Sequence, residues 1–424
     1  MKNLISSFSY LDYKTNLLTL NNIPLNELIK DVDTPFFLYL PKRFEQNYLA
    51  LKNSLSKYLP NFQIFYAVKA NYLGKILLDA KKLGLGLEVM SLFEILLARR
   101  AKYSFNNLIF NGPAKTELEL TTYLKENSNA RINVESLNEL VLIERIAKKM
   151  KIKPKVTVRI HPNLSKETEK RMLIKKSSKL GIDYERAKKL FSFAKDSDFL
   201  EPVGVHVHVG TNLSSHEFFD ELFDFMNSYI ESLRKIDIQI KEVNLGGGLA
   251  PPNVLIRENF SLYRFAEQIV TKFENYKDIL FLFEPGRYLI ADSFIALTKI
   301  LQTKKSWGRK WAFVDIGANS LVPLRYSIYS VIPLFFKGKG QYCNLGGPLC
   351  LPVDIITKEA VDFMVENDDL LAVLNCGAYT LSMSEQFGYP RPPVYELNEK
   401  GKLKLIKPSD DIERMVEENF SNLE

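Results

Sequence analysis

Cysteine is scarce in this chain. Three occur in 424 residues, Cys343, Cys350 and Cys376, all in the last fifth. An odd and sparse set excludes a disulfide framework and fits a reducing compartment. Histidine is also rare, with four residues, and no zinc-type Cys/His spacing or H-E-x-x-H occurs. No stretch reaches the ~18 apolar residues of a membrane span. Residues 1–8 lack the apolar core and cleavage site of a secretory leader, so a cytoplasmic protein is expected. There is no arginine-rich arm. The 57 basic and 50 acidic residues are dispersed, and a net charge of +7 then reads as a solvated surface, with no nucleic-acid partner. No G-x-G-x-x-G opens a helix, which excludes the dinucleotide fingerprint. Repeats, low-complexity tracts and long linkers are missing as well.

What is present is an ordinary globular composition, 46% hydrophobic and 25% charged. Short apolar runs alternate with amphipathic stretches from about residue 35 to 285. Strands are expected at 36–40, 63–68, 87–89, 107–110, 131–134, 156–160, 202–208, 241–245 and 279–283. Helical spacing appears at 92–98, 136–148 and 218–234. Such alternation implies an α/β parallel sheet, closed as a (β/α)8 barrel of the TIM type, with its active-site face at the strand ends. After residue 285 strands dominate, at 293–303, 310–314, 370–374 and 394–396. The expected organisation is an N-terminal segment 1–34 that joins the β domain, a barrel 35–285, and a C-terminal mostly-β, barrel-like domain 286–424. The lysine-rich segment 165–179 has little periodicity and is expected to be an exposed loop, with a lesser role in attracting anions.

Chemistry gathers at the strand ends. Lys69 closes the apolar run Ile64-Phe65-Tyr66-Ala67-Val68. A poorly solvated amine there is nucleophilic and can condense with a carbonyl, pyridoxal phosphate included. Most strand-end lysines simply reach water. Val205-His206-Val207-His208-Val209-Gly210-Thr211 alternates, so both histidines face one side. Metal binding, stacking on a planar cofactor and a hydrogen-bonded core are all compatible with that pattern, and His161 and His216 offer no obvious third ligand. Asn244-Leu245-Gly246-Gly247-Gly248 lets backbone N–H groups wrap an anion, or makes a plain turn. Glu284-Pro285-Gly286-Arg287 offers a carboxylate for a ring nitrogen and a guanidinium for a phosphate, or a local salt bridge. Cys350 lies in Gly346-Gly347-Pro348-Leu349-Cys350, and Tyr379 in Gly377-Ala378-Tyr379. Each loop offers a proton donor or a bland side chain.

Taken together, these motifs resemble the fold-type III pyridoxal-phosphate decarboxylases, the diaminopimelate, ornithine and arginine decarboxylase family, in order and spacing over nearly the whole chain. The resemblance implies pyridoxal 5'-phosphate as cofactor, no metal, and a homodimer with shared active sites. It implies that Lys69 holds the cofactor, with Glu88 beside it, that His208 stacks on the ring, and that Glu284 keeps the ring nitrogen protonated. Arg159 would lie near the ring hydroxyl. Thr211, Gly246, Gly247, Gly248, Gly286, Arg287 and Tyr379 would surround the phosphate or substrate. Cys350 would come from the partner subunit to protonate Cα.

Three departures bear on the substrate. Diaminopimelate enzymes usually carry Cys-Glu-Ser-x-Asp, whereas this chain reads Cys350-Leu351-Pro352-Val353-Asp354. Leu351 cannot pair with a distal ammonium, and an unpaired, partly desolvated cation is costly. Val322 stands where an arginine usually precedes the proline, and Arg325 lies nearby but out of register. Glu88 replaces the common aspartate. The Cys-x-Pro-x-Asp loop is similar to a branch acting in siderophore or antibiotic biosynthesis on amino-acid units with acylated or carrier-tethered ends. Decarboxylation of such a unit is the leading expectation, with Arg287, Arg325, Leu351, Asp354 and Tyr379 facing the substrate. Diaminopimelate decarboxylation to L-lysine is the alternative. A dead homologue that only binds a partner is the reading from another class, and retention of Lys69, His208, Glu284 and Cys350 counts against it.

Overall fold

The computed structural model describes residues 2–127, 130–175, 178–324, 326–357 and 359–421. The chain divides into two units: residues 45–250 with 254–289, and residues 1–44 with 251–253 and 290–424.

The first of these is an eight-stranded parallel barrel. Its strands are, in order, Phe62–Ala67, Gly86–Val89, Leu108–Phe110, Arg131–Val134, Lys155–His161, Glu201–His206, Glu242–Asn244 and Leu280–Phe283. Each pairs in parallel with the next, and the eighth pairs with the first. The strands are rich in Val, Ile, Leu and Phe because both of their faces are covered. Six helix starts follow one rule. Ser91, Thr116, Ser136, Asp183, Ser215 and Ser261 each accept a backbone N–H from the first turn that follows, which satisfies a donor the helix itself cannot pair.

Arg131 and Glu242 begin the fourth and seventh strands, and Arg131 Nε lies 3.1 Å from both Glu242 oxygens. The strands are not neighbours, so this pair crosses the barrel floor. Arg131→Met is expected to cost about 3 kcal/mol, because Glu242 then stays buried without a counter-charge. Adding Glu242→Leu should recover most of that loss in urea unfolding. Equal losses in the single and double variants would contradict this account.

Residues 36–40, expected in the barrel, do not enter it. Phe36–Tyr39 pairs antiparallel with Phe294–Ser306 and parallel with Val394–Leu397 in the second unit. All four of its side chains are buried, so its apolar run is as compatible with one core as with the other. The barrel unit therefore begins at residue 45. Leu11–Lys14, Leu17–Leu20 and Ile23–Pro24 form a sheet of their own, whose Leu18 and Leu20 pack with Phe36, Leu38, Ile295 and Leu374. Arg43 donates to Asp292 through Nε and Nη2 at 3.0 and 2.7 Å. The second unit is mostly β, and among the described residues its nine-stranded sheet runs as a branched, open path.

The segment 165–179 is not simply a loop. Lys166–Arg171 is a short helix capped by Ser165. Glu221 accepts from the Ser165 N–H and the Thr168 hydroxyl, and Met172 and Ile174 are buried. The sequence hid this because six residues are too short for a periodic signal. Among the described residues no helix is long and apolar enough to cross a membrane.

Candidate active site

Barrel closure brings one polar side chain from nearly every strand end to a single point. Lys69 sits on the short 3-10 turn Val68–Ala70 that follows the first strand. Its Nζ is ion-paired with Glu88 of the second strand, whose carboxylate is fully buried. The other oxygen, Glu88 Oε1, has no hydrogen-bond partner. Glu94, at the start of the next helix, accepts the Met90 N–H at 2.8 Å. Burial first, and then the Glu88 charge, push the Glu94 carboxyl up to about 7.

Glu284 follows the eighth strand and is buried. Asn244 Nδ2 donates to its Oε1 at 2.7 Å and Asn111 Nδ2 to its Oε2 at 2.9 Å. Asn133 Nδ2 reaches Oε1 at 3.4 Å. His206 Nε2 lies 3.6 Å from Oε2. Burial, reinforced by Glu88, raises Glu284 to about 7, while Lys69 and the amides pull the other way.

His206 and His208 do not act as a pair. His206 ends its strand fully buried, and burial holds its ring neutral. His208 lies two residues beyond and is half-buried. Gly247 N–H donates to its Nδ1 at 3.1 Å, so the ring proton belongs on Nε2. Burial, Arg159 and Lys69 together depress His208 to about 3. His208 is therefore expected to show the neutral Nε2–H form in 15N NMR at every pH from 5 to 8, and a titration near 6.5 would refute it. The other two histidines are structural. His161 lies between the Pro162 and Ile174 carbonyls, and His216 pairs with Gln268 and stacks on Phe260. Among the described residues no cluster of metal-binding side chains exists.

Arg159, from the fifth strand, donates to Glu135 at 2.7 Å and to the His208 carbonyl at 3.4 Å. Glu135 also accepts the Gly181 N–H. Behind it, buried Lys115 donates to Gly112 O, Asn133 O and Glu139. Arg287 Nε donates to Thr211 Oγ1 at 3.0 Å. The glycine run has real steric demands. Gly246 and Gly248 have φ of +62° and +103°, and a Cβ on Gly247 would lie 2.3 Å from the Glu284 carbonyl. Only glycine permits this close approach.

The second unit carries the other predicted residues. Cys350 is exposed and Leu351 half-exposed. Tyr379 is half-buried with φ of +61°. Asp354, expected to face substrate, is held by two backbone N–H groups, one in its own loop and one in the loop of Ala318. It is buried and accepts from Ala318 N–H and Leu349 N–H at 2.6 and 2.7 Å. Arg325 lies outside the described residues. Asn111, Asn133, Glu94, Lys115 and Glu135 were missed by sequence reasoning. The available signal was position, since Asn111, Asn133 and Glu135 lie at or just beyond the end of a barrel strand and Glu94 and Lys115 in the connections that follow.

A carboxylate held by amides, a lysine paired with a second buried carboxylate, a glycine loop, and an arginine donating to Thr211 fit pyridoxal phosphate. The family profile "Pyridoxal-dependent decarboxylase, pyridoxal binding domain" matches residues 45–291. The chain belongs to the pyridoxal-dependent decarboxylases. It is thus a carboxy-lyase with pyridoxal phosphate as cofactor. Diaminopimelate decarboxylase of Campylobacter jejuni is 31% identical over 400 residues, covering 93% of this chain and 98% of that protein. The crystal structure of diaminopimelate decarboxylase from M. jannaschii in co-complex with L-lysine has a TM-score of 0.88 at 26% identity, covering 97% and 98% of the two chains. The L-glutamyl-[BtrI acyl-carrier protein] decarboxylase of Niallia circulans is 28% identical over 435 residues, covering 96% of this chain and 99% of that protein.

Proposed function

We propose that this decarboxylase converts meso-diaminopimelate to L-lysine and CO2. The observation that carries this reading is the end-to-end match to diaminopimelate decarboxylases. It shifts the balance from the acylated substrate expected on sequence alone. Within the site, Lys69 holds the cofactor, and Glu88 positions its amine. Glu284 would meet the ring nitrogen, His208 would cover one face of the ring, and Arg159 would serve the ring hydroxyl. Thr211, Gly246, Gly247, Gly248, Gly286 and Arg287 take the phosphate, with Tyr379 near phosphate or substrate. When bound, pyridoxal phosphate accepts the electron pair left on Cα as the bond to CO2 breaks. The Cys350 thiol, in a homodimer, would supply the proton for Cα.

A second reading has its own observation. Leu351 offers no charge where the family resemblance places a carboxylate for a distal ammonium. A substrate with an acylated or carrier-tethered end needs none, and the Niallia circulans relative is named for such a substrate. Mass spectrometry of meso-diaminopimelate turnover separates the two. Lysine at enzyme-like rates supports the first reading. No lysine from cofactor-loaded enzyme overturns it. If the first holds, Leu351→Glu should raise kcat/KM for diaminopimelate by about tenfold, through a charge-assisted bond. An unchanged or lower value would show that the ammonium is anchored elsewhere.

A further inference from the structure

We propose that Asn244, seconded by Asn111, is a positioning residue that keeps Glu284 a carboxylate toward the cofactor's ring nitrogen, so that the site selects a cofactor whose ring nitrogen is basic. The inference rests on the placement of Glu284 at that nitrogen and is independent of which amino acid is decarboxylated.

The direction of the hydrogen bonds carries it. Gly246 N–H donates to Asn244 Oδ1 at 2.9 Å. A backbone N–H can only donate, so this bond fixes the amide and leaves Nδ2 for Glu284 Oε1. Asn133 Nδ2 donates to Asn111 Oδ1, which likewise turns Asn111 Nδ2 toward Glu284 Oε2. Both carboxylate oxygens therefore receive amide donors. A protonated carboxyl would need an acceptor at one of them; neither amide supplies one, and the neutral His206 Nε2, 3.6 Å from Oε2, is beyond hydrogen-bond distance. Amide donors favour the anion, against the burial and the Glu88 charge that favour the acid. The cradle is also tied to the glycine loop, because Glu284 N–H donates back to the Gly246 carbonyl at 2.7 Å. Asn244 thus joins the loop assigned to the phosphate with the carboxylate assigned to the ring nitrogen.

Cofactor-free protein is titrated with pyridoxal 5'-phosphate and with its 1-deaza analogue, in which carbon replaces the ring nitrogen. Wild type should prefer pyridoxal phosphate by about tenfold or more, the worth of a hydrogen bond to a charged group. Asn244→Leu should reduce that ratio to within about threefold. Loss of the Gly246 contact weakens both ligands alike, so the ratio isolates the charge on Glu284. Asn111→Leu acts on the other oxygen, leaves the glycine loop untouched, and should move the ratio the same way if Asn244→Leu fails to fold. A wild-type ratio near one would remove Glu284 from the ring nitrogen. A large ratio retained in both variants would leave Glu284 there and overturn the role of the amides.

Discussion

Lys69→Met is expected to lower kcat/KM by about 10^3-fold or more, since the covalent anchor and its proton-transfer capacity are both removed. It should also cost stability. The Glu88 carboxylate is fully buried and ion-paired with Lys69. Without the lysine it becomes an uncompensated buried charge, a loss of about 3 kcal/mol. The double variant Lys69→Met, Glu88→Gln removes that charge. Urea unfolding of cofactor-free protein should then return toward the wild-type midpoint, while steady-state activity stays lost. If the double variant is as unstable as the single one, Glu88 is balanced by other groups. If Lys69→Met keeps near-normal turnover, the lysine does not hold the cofactor.

Glu284→Gln is expected to reduce kcat by about 10^2- to 10^3-fold, the range for losing one electrostatic stabiliser of developing charge. It is not conservative in this site. Both Glu284 oxygens accept amide N–H groups, from Asn244 and Asn111. Glutamine presents one oxygen and one NH2, so one asparagine must face a donor with a donor. The buried amide left unpaired costs about 1–3 kcal/mol. A fall in thermal stability should therefore accompany the fall in kcat, with KM changed much less. Lost activity with unaltered stability would show that the asparagines rearrange freely. Retained kcat would remove Glu284 from the ring nitrogen.

The ends of the barrel strands were the most legible part of the chain. Lys69, His208, Gly246 and Glu284 all follow apolar runs, and a short buried strand announces itself by its apolar run and the break after it. Residues 36–40 misled for the same reason, since buried strands of two different sheets share one apolar signature. The partners of Asp354, the Ala318 and Leu349 N–H groups, were out of reach, because they are set by loops that no periodicity describes.

The order of the motifs decided the family, the cofactor and the chemistry, because a nucleophilic lysine, a strand-end carboxylate and a glycine loop depend on residue type and on local φ. The asparagine cradle was beyond its reach. Asn133 and Asn244 lie on two strands, and Asn111 and Glu284 each follow another. Only closure of the ring sets these four side chains against one another. Which way the Asn244 amide faces is then fixed by the Gly246 N–H, and Asn111 by the Asn133 amide; a hydrogen bond's direction is a property of folded neighbours rather than of neighbours in sequence.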